Sequence, residues 1–294
     1  MNTIFDNIIE LPNKAIKERA DGLIGFTDKF NRVFGNLRLL IDSEGLKEWS
    51  LRHHGVELAA VSMLADRHPL VILAGDVGTG KTVSAEAIAD HAVRELDREG
   101  FFLRLSTRVR GEGLHGQMGG LVNDAFAQLK EQVGKKRVAF LLIDEADAIA
   151  SSRSTLQMHQ EEKAAVNTLI QKIDEVREMK GRAVIFMSTN RLDFLDEAIV
   201  RRAAVVVQFT RPSLEERIEL FAKFLNGAEL SESEIADLAK RTGPESNGGL
   251  GYTFSDLTLR VIPEAIAACF PDNKLSYSAL IDTIKKVAPS PEIK

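Results

Sequence analysis

The segment GDVGTGKT at residues 75–82 constrains this chain more than any other. It fits GxxxxGK[ST] and stands between the apolar run LVILA (70–74) and the helical pattern TVSAEAIADHAVRELDRE (82–99). Strand, glycine loop and helix in that order make a phosphate-binding loop. The glycines let backbone amides curl around the phosphates at a helix N-terminus. On this reading Gly75, Asp76, Val77, Gly78, Thr79 and Gly80 form the cradle for ATP. Lys81 would reach the β- and γ-phosphates, and Thr82 would hold Mg2+.

Other apolar runs bounded by breakers read as buried strands: FFLRLS (101–106), VAFLLIDE (138–145), AVIFMST (183–189) and AVVVQF (204–209). Helical patterns separate most of them, and in EEKAAVNTLIQKIDEVREM (161–179) Val166, Leu169, Ile170, Ile173 and Val176 share one face. Continuous apolar strands joined by helices predict an α/β fold with a parallel five-stranded sheet covered on both faces. After residue 210 no buried strand is evident, and helical patterns predict a smaller all-α domain with Ser231 and Ser255 as helix N-caps. The expected organisation is an N-terminal extension (1–20), an α/β domain (21–210) and a helical lid (211–294).

Three further features belong with the phosphate loop. FLLIDEAD (140–147) ends a buried strand in two carboxylates, with Asp144 placed to support Mg2+ and Glu145 to polarise the attacking water. Asn190, in MSTNR (187–191), falls at the tip of the next strand, within reach of a γ-phosphate. Arg201 and Arg202 end a short helical stretch before the last strand, and either could neutralise charge on a neighbouring subunit's nucleotide. The two are not separable by sequence.

Composition narrows the alternatives. With 294 residues, 44% of them hydrophobic, the chain can bury a large core, and a formal net charge of −5 argues against non-specific nucleic-acid binding. A nucleic-acid-directed ATPase is the rival reading, but no basic patch or DNA-binding module supports it. The lone Cys269 excludes an internal disulfide, and the six histidines show no zinc-site spacing. No segment reads as a membrane span or secretory leader, so the expectation is a cytoplasmic protein without a membrane partner.

Residues 75–82, 141–145, Asn190 and Arg201/Arg202, in that order and followed by a helical domain, resemble an AAA+ ATPase. LLIDEADAIASSR, AVNTLIQKIDEV, STNRLDFLDEAIVRRA and LRVIPEAI resemble the pachytene-checkpoint, thyroid-receptor-interactor branch. The resemblance implies a homohexameric ring with ATP at subunit interfaces. Its implied client is a HORMA-domain protein, which in bacterial systems accompanies a nucleotide cyclase in anti-phage signalling. Two departures stand out. Only 74 residues precede the phosphate loop, so the expectation is that any HORMA client is engaged without the adaptor-binding domain of the eukaryotic branch. The family's Gly-Arg pair opening a small-domain helix is replaced by Ser255-Asp256-Leu257, with Arg260 one turn later. Ile24, in GLIGF (22–26), lies where such proteins often cradle adenine, although core packing explains it equally well.

STRVRGEGLHGQ (106–117) fits neither strand nor helix and falls where AAA+ rings extend a substrate-gripping pore loop. It has no aromatic except His115, which leaves Val109-Arg110-Gly111 or Leu114-His115-Gly116 to touch the client.

Overall fold

The computed structural model describes residues 4–25, 27–105, 118–134, 137–152 and 160–292. They divide into two compact units. The first takes in the described residues within Met1–Gly22, Asp28–Ala74 and Lys81–Gln208, and the second those within Leu23–Thr27, Gly75–Gly80 and Phe209–Lys294.

The first unit is built on a six-stranded sheet. Its strands are β1 (Phe5–Leu11), β2 (Leu70–Gly75), β3 (Glu99–Leu105), β4 (Arg137–Ile143), β5 (Ala183–Thr189) and β6 (Val205–Phe209), in the spatial order β1-β3-β4-β5-β2-β6. The pairs β3–β4, β4–β5 and β5–β2 are parallel. The helices are α1 (Lys14–Ala20), α2 (Thr27–Ile41), α3 (Ser43–His54), α4 (Ala59–Ala65), α5 (Lys81–Glu95), α6 (Met118–Gln132), α7 (Gln160–Arg177) and α8 (Glu197–Val200). β2 and β5 bury every residue, which is why their sequences are apolar runs without alternation. One core layer joins Ile72, Leu141, Ile143, Ile185 and Met187 of the sheet to Val122 and Phe126 of α6 and Val166, Leu169, Ile173 and Val176 of α7.

The five expected strands are joined by a sixth that sequence reading missed. β1 runs antiparallel to β3 (Ile8 opposite Leu103, Leu11 opposite Gly100) and lies at the sheet edge, in the segment expected to be an extension. Only Phe5 and Leu11 of FDNIIEL are buried, and the register shifts between Phe5 and Asn7. A strand exposed along most of its length and broken by an irregularity shows neither continuous nor alternating apolar character.

The second unit contains α9 (Leu214–Phe224), α10 (Glu232–Arg241), α11 (Phe254–Asp256), α12 (Ile262–Cys269) and α13 (Tyr277–Lys286). α9 and α10 open on capping boxes, Ser213 with Glu216 and Ser231 with Glu234. Ser255, expected as a cap, lies inside the next helical turn. Thr253 caps it, because Asp256 stands three residues on and closes the reciprocal pair. Leu220, Phe221, Leu238, Tyr252, Leu257, Val261, Leu280 and Ile284 form the unit's core. The Tyr252 hydroxyl donates to the Ile284 carbonyl at 3.0 Å and also to that of Val287.

Asp256 is a buried charge of this unit, 1% exposed. It accepts from the Thr253 amide (3.0 Å), the Ser290 amide (3.0 Å) and hydroxyl (2.6 Å), and Arg260 Nη1 (2.9 Å). Burial raises its pKa, but the hydrogen bonds from Ser290, Thr253 and Arg260 outweigh burial and bring it down to about 2. The folded value lies below the unfolded one of about 3.9, so the carboxylate stabilises the fold fully above about pH 4 and the contribution is lost as pH falls toward 2. Asp256→Asn is therefore expected to cost on the order of 2 kcal/mol at pH 7. Calorimetric melting should show the gap to wild type closing between about pH 4 and pH 2. A gap independent of pH would mean that Asp256 contributes shape and not charge.

Candidate functional site

In the first unit the carboxyl ends of parallel β2, β4 and β5 lie side by side, with Ala74 in register with Thr189 and Ile143 with Met187. This edge of an open α/β sheet is where such folds gather ligands. Lys81 and Thr82 open α5 directly after the loop. Buried Lys81 donates from Nζ to Asn190 Oδ1 at 2.9 Å, and Thr82 Oγ1 donates to Asp144 Oδ2 at 3.0 Å. The structure thus brings Lys81, Thr82, Asp144 and Asn190 together.

Asp144 is the hub of this cluster. Besides Thr82 it accepts from Arg104 Nη2 at 2.8 Å, the Ser188 hydroxyl, and the Glu145 amide at 3.1 Å. Glu145 differs in every respect: it is exposed, and its backbone turns into the left-handed region at φ 49°. The chain then enters a short turn fixed by Thr189, whose hydroxyl donates to Asp147 Oδ1 at 2.8 Å and accepts the Arg191 amide at 3.0 Å. Of two adjacent carboxylates, one is immobilised and the other presented to solvent.

Arg104 and Ser188 were not anticipated. Arg104 is a lone cation in the apolar run FFLRLS, which was the available signal. Its Nε is buried without a hydrogen-bond partner among the described residues, so the guanidinium is held in place through its contact with Asp144. Glu86, one turn beyond Thr82, pairs with Arg19 at 2.9 Å. Burial pushes its carboxyl above the usual range, against the opposing pull of Arg19 and Arg104.

The structure separates the two arginines that sequence could not. Arg201 is 80% exposed and meets Glu197 one turn back at 3.1 Å. Arg202 grips Asp174 with both prongs, at 2.7 and 3.1 Å, and donates to the Ala198 carbonyl at 2.9 Å. His68 adds a contact to the same carboxylate at 2.8 Å. The guanidinium of Arg202 holds the Asp174 carboxyl below the usual carboxylate range.

Gly75–Gly80 is grouped with the second unit. Gly75 has φ +143°, and a Cβ there would stand 1.9 Å from the Phe209 carbonyl oxygen. Gly78 has φ +75°, and a Cβ would press on Thr253 Oγ1 at 2.8 Å and on Ser255 Cβ at 2.9 Å. Both positions therefore require glycine for conformation and for close approach. The Ser255 amide donates to the Gly78 carbonyl at 3.1 Å, and Thr79 Oγ1 donates to the Asp76 carbonyl at 2.7 Å. Asp76 pairs with Arg211, another residue that sequence reading did not single out. Val77 is half-exposed, and Gly80 sits at φ +91° with open space around a would-be Cβ.

Ile24 is buried in the helical core with Leu220 and Leu257. Arg260 is engaged with Asp256 and with the Ala288 carbonyl at 3.2 Å, while Leu257 is fully buried. Val109, Arg110, Gly111, Leu114, His115 and Gly116 lie outside the described residues. Among the described residues no group of three His, Cys, Asp or Glu side chains is placed to hold a metal, and no helix is long and apolar enough to cross a membrane.

The chain resembles known proteins along nearly its whole length. Residues 71–211 match the ATPase family associated with various cellular activities (AAA). CD-NTase-associated protein 6 of Escherichia coli strain KTE188 is 45% identical over 291 residues, spanning 99% of this chain and 97% of the relative. A chain in the solved E. coli MS115-1 HORMA:CdnC:Trip13 complex superposes with a TM-score of 0.91 at 39% identity, covering 99% of this chain and 97% of that one. Rhizobiales Trip13 superposes with a TM-score of 0.76 at 31% identity, over 98% and 99% of the two chains. The chain belongs to the AAA ATPases, in the Trip13-like group of the CD-NTase-associated proteins.

Proposed function

We propose that this protein hydrolyses ATP as a homohexameric ring and spends the energy on remodelling a HORMA-domain protein, releasing it from a nucleotide cyclase in anti-phage signalling. The observation that carries this reading is the near-complete superposition on a chain of the HORMA:CdnC:Trip13 complex. The site chemistry is compatible with it. Thr82 Oγ1 and Asp144 Oδ2, two hard oxygen donors 3.0 Å apart, suit Mg2+, which would take its remaining ligands from phosphate and water. When bound, the ion would supply positive charge to offset that of the phosphates.

The chain's own residues divide the remaining work. The glycine loop presents amides to the phosphates, and Lys81 supplies a cation that Asn190 aims. Glu145, exposed beside the immobilised Asp144, orients the water that attacks the γ-phosphorus and takes its proton as the bond to the β–γ bridging oxygen breaks. Arg201 or Arg202 would lie against the nucleotide of a neighbouring subunit. Arg201 could do so at the cost of one exposed local pair, whereas Arg202 would have to surrender its bidentate hold on Asp174.

Glu145→Gln is expected to retain ATP binding while turnover falls by about 10²–10⁴-fold. In a pull-down with ATP this variant should retain a HORMA-domain protein, and the same protein should stimulate wild-type hydrolysis. Retention of none, together with no stimulation, would refute the client assignment. Arg202→Ala is expected to lower stability by about 1 kcal/mol, a fall in Tm of roughly 2–4 °C, through loss of the partly exposed Asp174 pair. Arg201→Ala should leave Tm unchanged. The substitution whose loss of turnover exceeds any loss of stability, and is rescued by mixing with subunits mutated at Lys81, identifies the residue that acts in trans.

A further inference from the structure

The second residue of the phosphate loop is an aspartate, which is an electrostatic problem for a loop that gathers amides around an anion. Asp76 places a full negative charge in the cradle, and its Oδ1 accepts the Val77 amide at 2.9 Å. The other oxygen, Oδ2, is gripped by Arg211, from Nε at 2.7 Å and also from Nη2. The third arm of the same guanidinium, Nη1, donates to the Gly251 carbonyl at 2.5 Å. Both side chains are largely withdrawn from water, Arg211 12% and Asp76 14% exposed, so solvent screens the pair only weakly.

Gly251 lies just ahead of Thr253, the cap of α11, and Ser255 in the capped turn holds the Gly78 carbonyl. The loop is thereby fastened twice within the second unit, at Asp76 through Arg211 and at Gly78 through Ser255. Only a planar fork serves Asp76 and Gly251 at once. A lysine could supply the charge but not the geometry.

Resting on the nucleotide site proposed above, we infer that Arg211 is a positioning residue for nucleotide binding: it cancels the charge of Asp76 and so permits a carboxylate inside the phosphate cradle. The expected signature is an order of affinities that a simple brace would not produce. Arg211→Met leaves an uncompensated, poorly solvated carboxylate beside the phosphates and should weaken binding by about tenfold or more. Asp76→Asn releases a cation there and should tighten binding severalfold, with a steeper loss on adding salt. The double variant removes both charges and should return to within about threefold of wild type. Arg211→Lys should fall between wild type and Arg211→Met.

The measurement is titration of each full-length variant with fluorescent N-methylanthraniloyl-ADP and Mg2+ at two salt concentrations, with Tm recorded for each. If Arg211→Met fails to fold, Asp76→Asn and Arg211→Lys still decide the matter. The inference is overturned if Asp76→Asn binds more weakly than wild type, or if the double variant is as weak as Arg211→Met. Failure of wild type itself to bind would overturn the nucleotide site and the inference with it, whereas equal affinities across all variants would overturn the role of Arg211 alone.

Discussion

In the first unit, the carboxyl edge of the sheet depends on one carboxylate. Asp144 accepts from a hydroxyl on α5, a guanidinium on β3, a hydroxyl on β5 and the amide of its own successor. These donors lie 62, 40 and 44 residues away along the chain, apart from the neighbouring amide. Hydrogen bonds to a charged acceptor are short and strong, and this one locks the relative position of three strands and a helix start. The consequence reaches Glu145. Its backbone stands in the left-handed region, which costs energy for a residue with a side chain and persists only where the surroundings dictate it. Here the strand before it, the Asp144 oxygen that takes its amide, and the Thr189–Asp147 bond in the turn after it leave little alternative. A fixed carboxylate and a presented one are thus produced by one local arrangement.

How much of this the sequence discloses follows from the range of each interaction. The glycine loop is a local pattern, with glycines where the backbone takes positive φ, so residues 75–82 stand out in the sequence. The parallel strands are equally plain, because strands covered on both faces are apolar throughout. Arg104, Ser188 and Arg211 escaped because their partners are distant in the chain and their types are common; only a cation inside an apolar run hinted at Arg104. β1 escaped for the opposite reason: an edge strand buries so little that its sequence carries almost no pattern. Ser255 looked like a cap because serine favours that position, yet Thr253 holds it. The reciprocal partner three residues on, Asp256, decides between them. The side-by-side arginines 201 and 202 are indistinguishable as letters and differ only in what lies across from them, open solvent with Glu197 or the paired carboxylate of Asp174.

The second unit repeats the use of a charge as an organising centre, but from the inside. Asp256 would be costly to bury alone, and it is tolerated because four donors converge on it from the helix cap, from Arg260 and from the chain's last described residues near Ser290. That convergence sets the start of α11, and the start of α11 sets where Ser255 can offer its amide to Gly78. The stretch Ser255-Asp256-Leu257 therefore acts on the loop through backbone. Its aspartate is consumed in holding the turn, its leucine is packed in the core, and Arg260 is bound to the aspartate. A side-chain cation beside the loop enters instead from Arg211, at the other end of the unit's sequence. Because Gly78 has no side chain and the turn approaches it too closely for one, loop and turn can change only together. The polar interior of the helical unit thereby becomes part of the geometry of the glycine loop.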